Sequence, residues 1–305
     1  MNKSNLYLIG NGFDLHHGLP TRYSDFQKFI EEHYPDLEWD FEEHFRMDVD
    51  HQYLWRQFEN DLSTFDWESF FNRYNHIDVG SESFRPSEAF GLEDELVQEG
   101  ENIVESIKSA FREWIESLDY PESISDDLLL GGFEENSKFI TFNYTDTLER
   151  YYGIDANDIL YIHNKADDNR GEIIFGHGTE QEPKPRPDEL DEEGNSNRTM
   201  FTDAEDAARS VFYELQKDTG SVIVEHRDFL ERLSGINGIV VLGHSLGKVD
   251  WPYLKYFKGL LPNAFWQFSY YGEQDMQNIK NVCSETLELN WKDVQLIRLY
   301  ELIRS

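Results

Sequence analysis

The chain has 305 residues, enough for one large α/β domain or for a domain with a sizeable insertion. Hydrophobic residues make up 39% and aromatics 15%, which supplies an ample core and excludes a chain disordered throughout. Asp and Glu number 61 against 27 Lys and Arg, for a formal net charge of −34; no basic patch offsets that field, so direct binding of nucleic acid is not expected.

The opening Met1-Asn2-Lys3-Ser4-Asn5 precedes only a short apolar run and no small-residue cleavage site, so no signal peptide is expected. No stretch of about 18 apolar residues occurs, and the expected location is the cytoplasm, away from membrane. Residues 4–10 read as a first strand, with Leu6-Tyr7-Leu8-Ile9 running into the turn Gly10-Asn11-Gly12-Phe13-Asp14. A helix opens at Thr21, with Phe26, Phe29 and Ile30 at helical spacing. From 21 to 135 no strand pattern follows. Leu54, Trp55, Phe58 and Leu62 share one helical face, and Trp67, Phe70, Phe71 and Tyr74 share another. Leu96, Ile103, Ile107, Phe111, Trp114, Ile115 and Leu118 form a long amphipathic stripe that stops before Pro121.

Strand character returns at 138–142, 159–163, 172–176, 238–243 and 264–270. Helical patterns intervene at 145–152, 203–217, 221–233, 250–260 and 292–303. Strands alternating with helices predict an α/β fold with a mostly parallel Rossmann-type sheet covered on both faces. The division expected is a core of 1–20 and 136–305 with a large helical insertion, 21–135, after the first strand. Glu180 to Arg198, rich in acids and prolines, reads as an exposed loop able to cover a site. The one cysteine, Cys283, permits neither an internal disulfide nor a thiolate zinc cluster.

The chemistry gathers at strand ends, where open α/β sheets place small-molecule sites. Gly10 and Gly12 allow close backbone approach to a pyrophosphate, with Asn11 and Asp14 adding side-chain hydrogen bonds; an ordinary strand-to-helix turn with Asp14 as cap is the plainer alternative. Asn143 can orient a water or a ribose hydroxyl, and Thr145 or Asp146 caps the helix that follows or joins the site. His163 closes its strand as a natural general base at neutral pH, and His177, between Gly176 and Gly178, is the second candidate. His16 and His17 lack further ligand-spaced residues, so no metal is expected. Gly243-His244-Ser245-Leu246-Gly247 fits a nucleophile elbow, but no histidine follows Ser245, which argues against a serine hydrolase.

The series Gly10-x-Gly12, then Thr141-Phe142-Asn143-Tyr144-Thr145-Asp146, then Tyr161-Ile162-His163, then Leu242-Gly243-His244-Ser245-Leu246 resembles the sirtuin order of motifs. More closely, Gly10-Asn11-Gly12-Phe13-Asp14-Leu15-His16-His17-Gly18-Leu19-Pro20-Thr21, Phe142-Asn143-Tyr144-Thr145 and Gly243-His244-Ser245-Leu246 are similar to the AbiH-type bacteriophage abortive-infection proteins. The resemblance implies a sirtuin-like core and a role in phage defence, with NAD cleaved as substrate. On that basis Asn143, His163 and His177 are the catalytic candidates. Gly10, Asn11, Gly12, Asp14, Thr145, Asp146, Gly243, His244 and Ser245 would contact the nucleotide.

Several departures stand beside the match. Asn164, not glycine, follows His163; Asn143 and Asp146 stand three apart; His244 replaces a threonine; and the sirtuin zinc cysteines are missing. The expected partner is a small-molecule nucleotide, with room for a phage-derived activator, a defence partner protein or a second copy of the chain. A non-catalytic sensor of a nucleotide or phage component is the rival reading, and a nuclease the third.

Overall fold

The computed structural model describes residues 4–45, 58–166, 171–180, 190 and 193–302. The chain falls into two compact units. The first holds Met1–Arg22, Trp114–Ile174 and Asp218–Ser305; the second holds Tyr23–Glu113 and Phe175–Lys217.

The first unit is built on six strands: β1 Asn5–Ile9, β2 Lys138–Thr141, β3 Ile159–Tyr161, β4 Gly238–Leu242, β5 Phe265–Tyr270 and β6 Val294–Arg298. All pairings are parallel, in the order β3-β2-β1-β4-β5-β6. This is the strand order of dinucleotide-binding sheets, with its switch point between β1 and β4. Alternation sends the central strands into two separate cores. Leu6, Leu8, Ile140, Ile239 and Val241 pack on one face, and Tyr7, Ile9, Phe139, Val240 and Leu242 on the other. Because both faces are buried, the strands read in sequence as unbroken apolar runs.

The expected α/β fold with a parallel sheet is what forms, with two local differences. Residues 292–303, expected as a helix, supply β6, whose Leu296 lies beside Phe268 in the register with β5. Residues 172–176, expected as a strand, form none. The backbone there is satisfied by the loop around it: the Ile174 amide donates to the His163 carbonyl at 2.9 Å, and the Tyr144 hydroxyl donates to the Ile174 carbonyl at 3.0 Å.

Among the described residues of the second unit, the sheet-forming strands are absent and helices dominate. Trp67–Tyr74 packs against Thr202–Glu214, where the Arg209 guanidinium lies 3.8 Å over the Trp67 ring. The long stripe forms the helix Glu88–Glu116. Leu54 and Trp55, half of the earlier helical face, and most of the Glu180–Arg198 loop lie outside the described residues. The division differs from one insertion over 21–135. Phe175–Lys217 joins the helical unit, while the stretch after Trp114 stays with the sheet, where Leu130 is buried beside Tyr7, Ile9 and Phe13.

Candidate functional site

Two polar clusters form at the carboxyl ends of the central strands. The first knits the turns together. Gly10 donates its amide to the Leu242 carbonyl at 2.9 Å, Gly12 donates to the Gly243 carbonyl at 2.7 Å, and Phe13 donates to the Gly10 carbonyl at 2.9 Å. These amides are therefore engaged inside the protein. The glycines serve the same contact. A Cβ on Gly10 would lie 2.5 Å from the His244 Cα, and one on Gly12 would lie 2.7 Å from the Gly243 carbonyl oxygen. The space that the sequence suggested for a pyrophosphate is, on this side, filled by the opposite turn. Asn11 is likewise occupied: its amide donates to the Thr21 carbonyl and its oxygen accepts from the Thr21 hydroxyl, both at 2.6 Å.

Asp14 is buried and turned inward. It accepts from the Thr145 hydroxyl at 2.5 Å and from the Thr147 hydroxyl at 2.7 Å. Burial pushes its carboxyl up to about 6, against the lowering pull of Thr145, Thr147 and Asn143. A raised folded pKa means that the native state binds the extra proton, so stability is highest below the ordinary carboxylate range and falls as pH rises through about 6. Asp14→Asn, a neutral isostere whose amide can meet a rotated hydroxyl, is expected to match the parent at pH 4. It should gain relative stability by pH 8, on the order of 2–3 kcal/mol. Urea melts of both proteins across that range check this, and a gap independent of pH would refute it.

The neighbouring groups also have structural partners. Asp146 sits at the N-cap of Thr147–Tyr152 without a side-chain cap bond, and instead accepts two bonds from the Arg150 guanidinium at 3.1 Å. His17 donates from Nδ1 to the Phe13 carbonyl and accepts at Nε2 from the Tyr152 hydroxyl, both at 2.6 Å. Burial holds it down to about 4, and so it is neutral at physiological pH.

The second cluster brings two imidazoles and a carboxylate together. His163, in the turn after β3, and His244, in the turn after β4, converge on Asp250, and all three are buried. His163 Nε2 lies 4.0 Å from Asp250 Oδ1, and His244 Nε2 lies 3.6 Å from Asp250 Oδ2. Aromatic rings enclose them: Phe142 meets His244 edge-on at 4.3 Å and His163 at 5.4 Å, and Tyr253 lies 5.7 Å from His163. Low-dielectric walls of this kind strengthen the pull of the carboxylate on both imidazoles. Among the described residues, no group of His, Cys, Asp or Glu has the arrangement of a metal site.

Both histidines stand in turns that bend through the left-handed region. Asn164 has φ +63° and Leu246 has φ +56°. Asparagine tolerates that conformation, which glycine otherwise supplies in such turns. A leucine there is strained, a mark often left by function.

The remaining candidates are placed as follows. Asn143 donates its amide to the Gly10 carbonyl at 3.2 Å and reaches Asp14, so it faces the first cluster and does not hydrogen-bond His163. His244 is directed at Asp250, whereas Ser245 is exposed. His177 belongs to the second unit. Its Nε2 donates to the Phe212 carbonyl at 2.9 Å, and its Nδ1 accepts from the Thr179 amide at 3.2 Å. Burial pushes the Cys283 thiol up to about 12, which silences it as a nucleophile.

Asp250 and Tyr253 are the site residues that the sequence did not expose. Asp250 precedes Trp251-Pro252 and reads as a helix cap. It does occupy that position, yet its side chain makes no cap bond. Nothing in the chain alone marks the difference.

Among the described residues, no helix is long and apolar enough to cross a membrane. No curated protein matches the chain. Residues 6–270 match the model of the family described as Bacteriophage abortive infection AbiH. The chain belongs to that family.

Proposed function

From that membership, we propose that the chain cleaves NAD at the bond between nicotinamide and ribose, as its contribution to abortive infection. The observation that carries the reading is the convergence of His163 and His244 on the buried carboxylate of Asp250 at the carboxyl ends of β3 and β4. In a sheet ordered β3-β2-β1-β4-β5-β6, this is the end at which dinucleotides bind. The sirtuin-like order of motifs points to the same substrate.

In this reaction water adds to ribose C1′ as the bond to nicotinamide breaks, through an oxocarbenium-like state. His163 takes the proton of that water and passes it to solvent, leaving ADP-ribose and nicotinamide. Asn143, its amide committed to Gly10 and Asp14, holds the turn after β1 beside the site. The exposed hydroxyl of Ser245 reaches for a ribose or phosphate oxygen. The turn at Gly10–Gly12 holds the two strand ends together beneath the site.

The test is incubation of the purified chain with NAD, alone and with lysate from phage-infected cells, following nicotinamide by chromatography. Release in either arm is expected. Folded protein that releases none in both arms, yet binds NAD, would establish the sensor reading instead.

A further inference from the structure

We propose that Asp250 and His244 are positioning residues that set the proton on His163, with Leu246 locking the arrangement. The inference rests on the reading of His163 as the base and assigns the machinery behind it.

Leu246 donates its amide to His244 Nδ1 at 2.9 Å. That nitrogen is thereby the acceptor, so the neutral ring carries its hydrogen on Nε2, facing Asp250 Oδ2 at 3.6 Å. The backbone of Leu246 is held for this purpose. Its own conformation is left-handed, with φ +56°. Its carbonyl accepts from the Trp251 indole at 3.0 Å, and its side chain is buried in the core. The strain of a left-handed leucine is thus offset by three anchors, and what it secures is one tautomer of His244.

Asp250 is aimed in the same sense. A residue at a helix N-cap normally spends its carboxylate on the first amides, but Asp250 makes no such bond and presents its two oxygens to the two imidazoles. With Oδ2 directed to the His244 N–H, Oδ1 is directed to His163 Nε2, 4.0 Å away. Carrying its hydrogen on that side, His163 has Nδ1 as its accepting nitrogen. When Nδ1 takes the proton of water, an O–H bond breaks, an N–H bond forms, and the Asp250 charge compensates the imidazolium. Among the described residues, the Tyr144 and Tyr253 rings also face His163, and the His226 ring reaches the Ile162 backbone. Asp250 supplies the negative charge among them.

The experiment compares Asp250→Asn, Asp250→Glu and the parent in nicotinamide release across pH. Asp250→Asn is expected to lower kcat about 100-fold or more with KM within about threefold. The acid limb of its pH profile should shift down by about one unit. Asp250→Glu should recover part of the rate. Parent-like kcat and acid limb in Asp250→Asn overturn the proposal, as does a loss of melting temperature with no loss of rate. Proton NMR titration of the His163 ring supplies a second readout that needs no turnover. Its midpoint should fall in Asp250→Asn, and an unmoved midpoint overturns the proposal even if the parent releases no nicotinamide. A parent that releases none while that midpoint still falls would sink NAD cleavage and leave the His163–Asp250 coupling standing.

Discussion

Gly243→Ala is expected to destabilise the sheet unit by on the order of 3–5 kcal/mol, enough to leave much of it unfolded near its working temperature. Two independent causes add. Gly243 has φ +61°, where an alanine is strained by about 1 kcal/mol or more. A Cβ there would also overlap the Phe13 amide nitrogen and crowd Gly12, which are backbone atoms and cannot rotate away. Because those atoms belong to the turn after β1, relief requires prising the two central strand ends apart. The same substitution at Gly91, in the helix Glu88–Glu116 with no neighbour within 4 Å of the added carbon, is expected to stabilise by about 0.5–1 kcal/mol through helix propensity. Thermal melts of the pair decide the matter. A stable Gly243→Ala protein that had lost only NAD affinity would restore the ligand-facing role of this glycine.

That contrast shows how far the turns were legible. Gly10-Asn11-Gly12 and Gly243-His244 announced close backbone approach, and close approach is what occurs. Sequence could not say what approaches. A pyrophosphate and an opposing peptide make the same demand, since both need the absence of a Cβ. Strands β1, β2 and β4 were readable because burial on both faces leaves a continuous apolar run bounded by turns. Strand β6 was not. It lies at the edge of the sheet with its side chains only partly covered, and Leu296, Leu299 and Tyr300 stand at the i, i+3, i+4 spacing of a helical face. At 172–176 the misleading signal was Ile173-Ile174-Phe175, where buried apolar side chains accompany a backbone bonded to a loop.

The site was legible where a residue ends a strand and hidden where its role depends on side-chain direction. His163 and His244 stand out after apolar runs; Asp250 hides in a position that has an ordinary explanation. Thr145 and Asp14 show the reverse. Both look suited to a ligand, and each is satisfied by the other. Polar residue type at a strand end marks a place for chemistry, but hydrogen-bond partners decide which groups still have any to offer.

His163→Gln is expected to reduce the rate of nicotinamide release by about 100- to 10,000-fold, the range that a general base contributes. His177→Gln should leave the rate within about threefold, because its two ring nitrogens already serve Phe212 and Thr179. Glutamine suits both positions. It keeps the length and polarity of the side chain but cannot accept a proton near neutral pH. The variants should separate in a second measurement as well. Loss of the His177 bonds costs about 1–2 kcal/mol, read as a lower melting temperature with activity retained. His163→Gln should melt within a few degrees of the parent, since glutamine keeps a polar amide on the side that faces Asp250 Oδ1. A His163→Gln protein that cleaves NAD at the parental rate would remove the base from this cluster. Loss of activity in His177→Gln, with its fold intact, would move the base to the second unit.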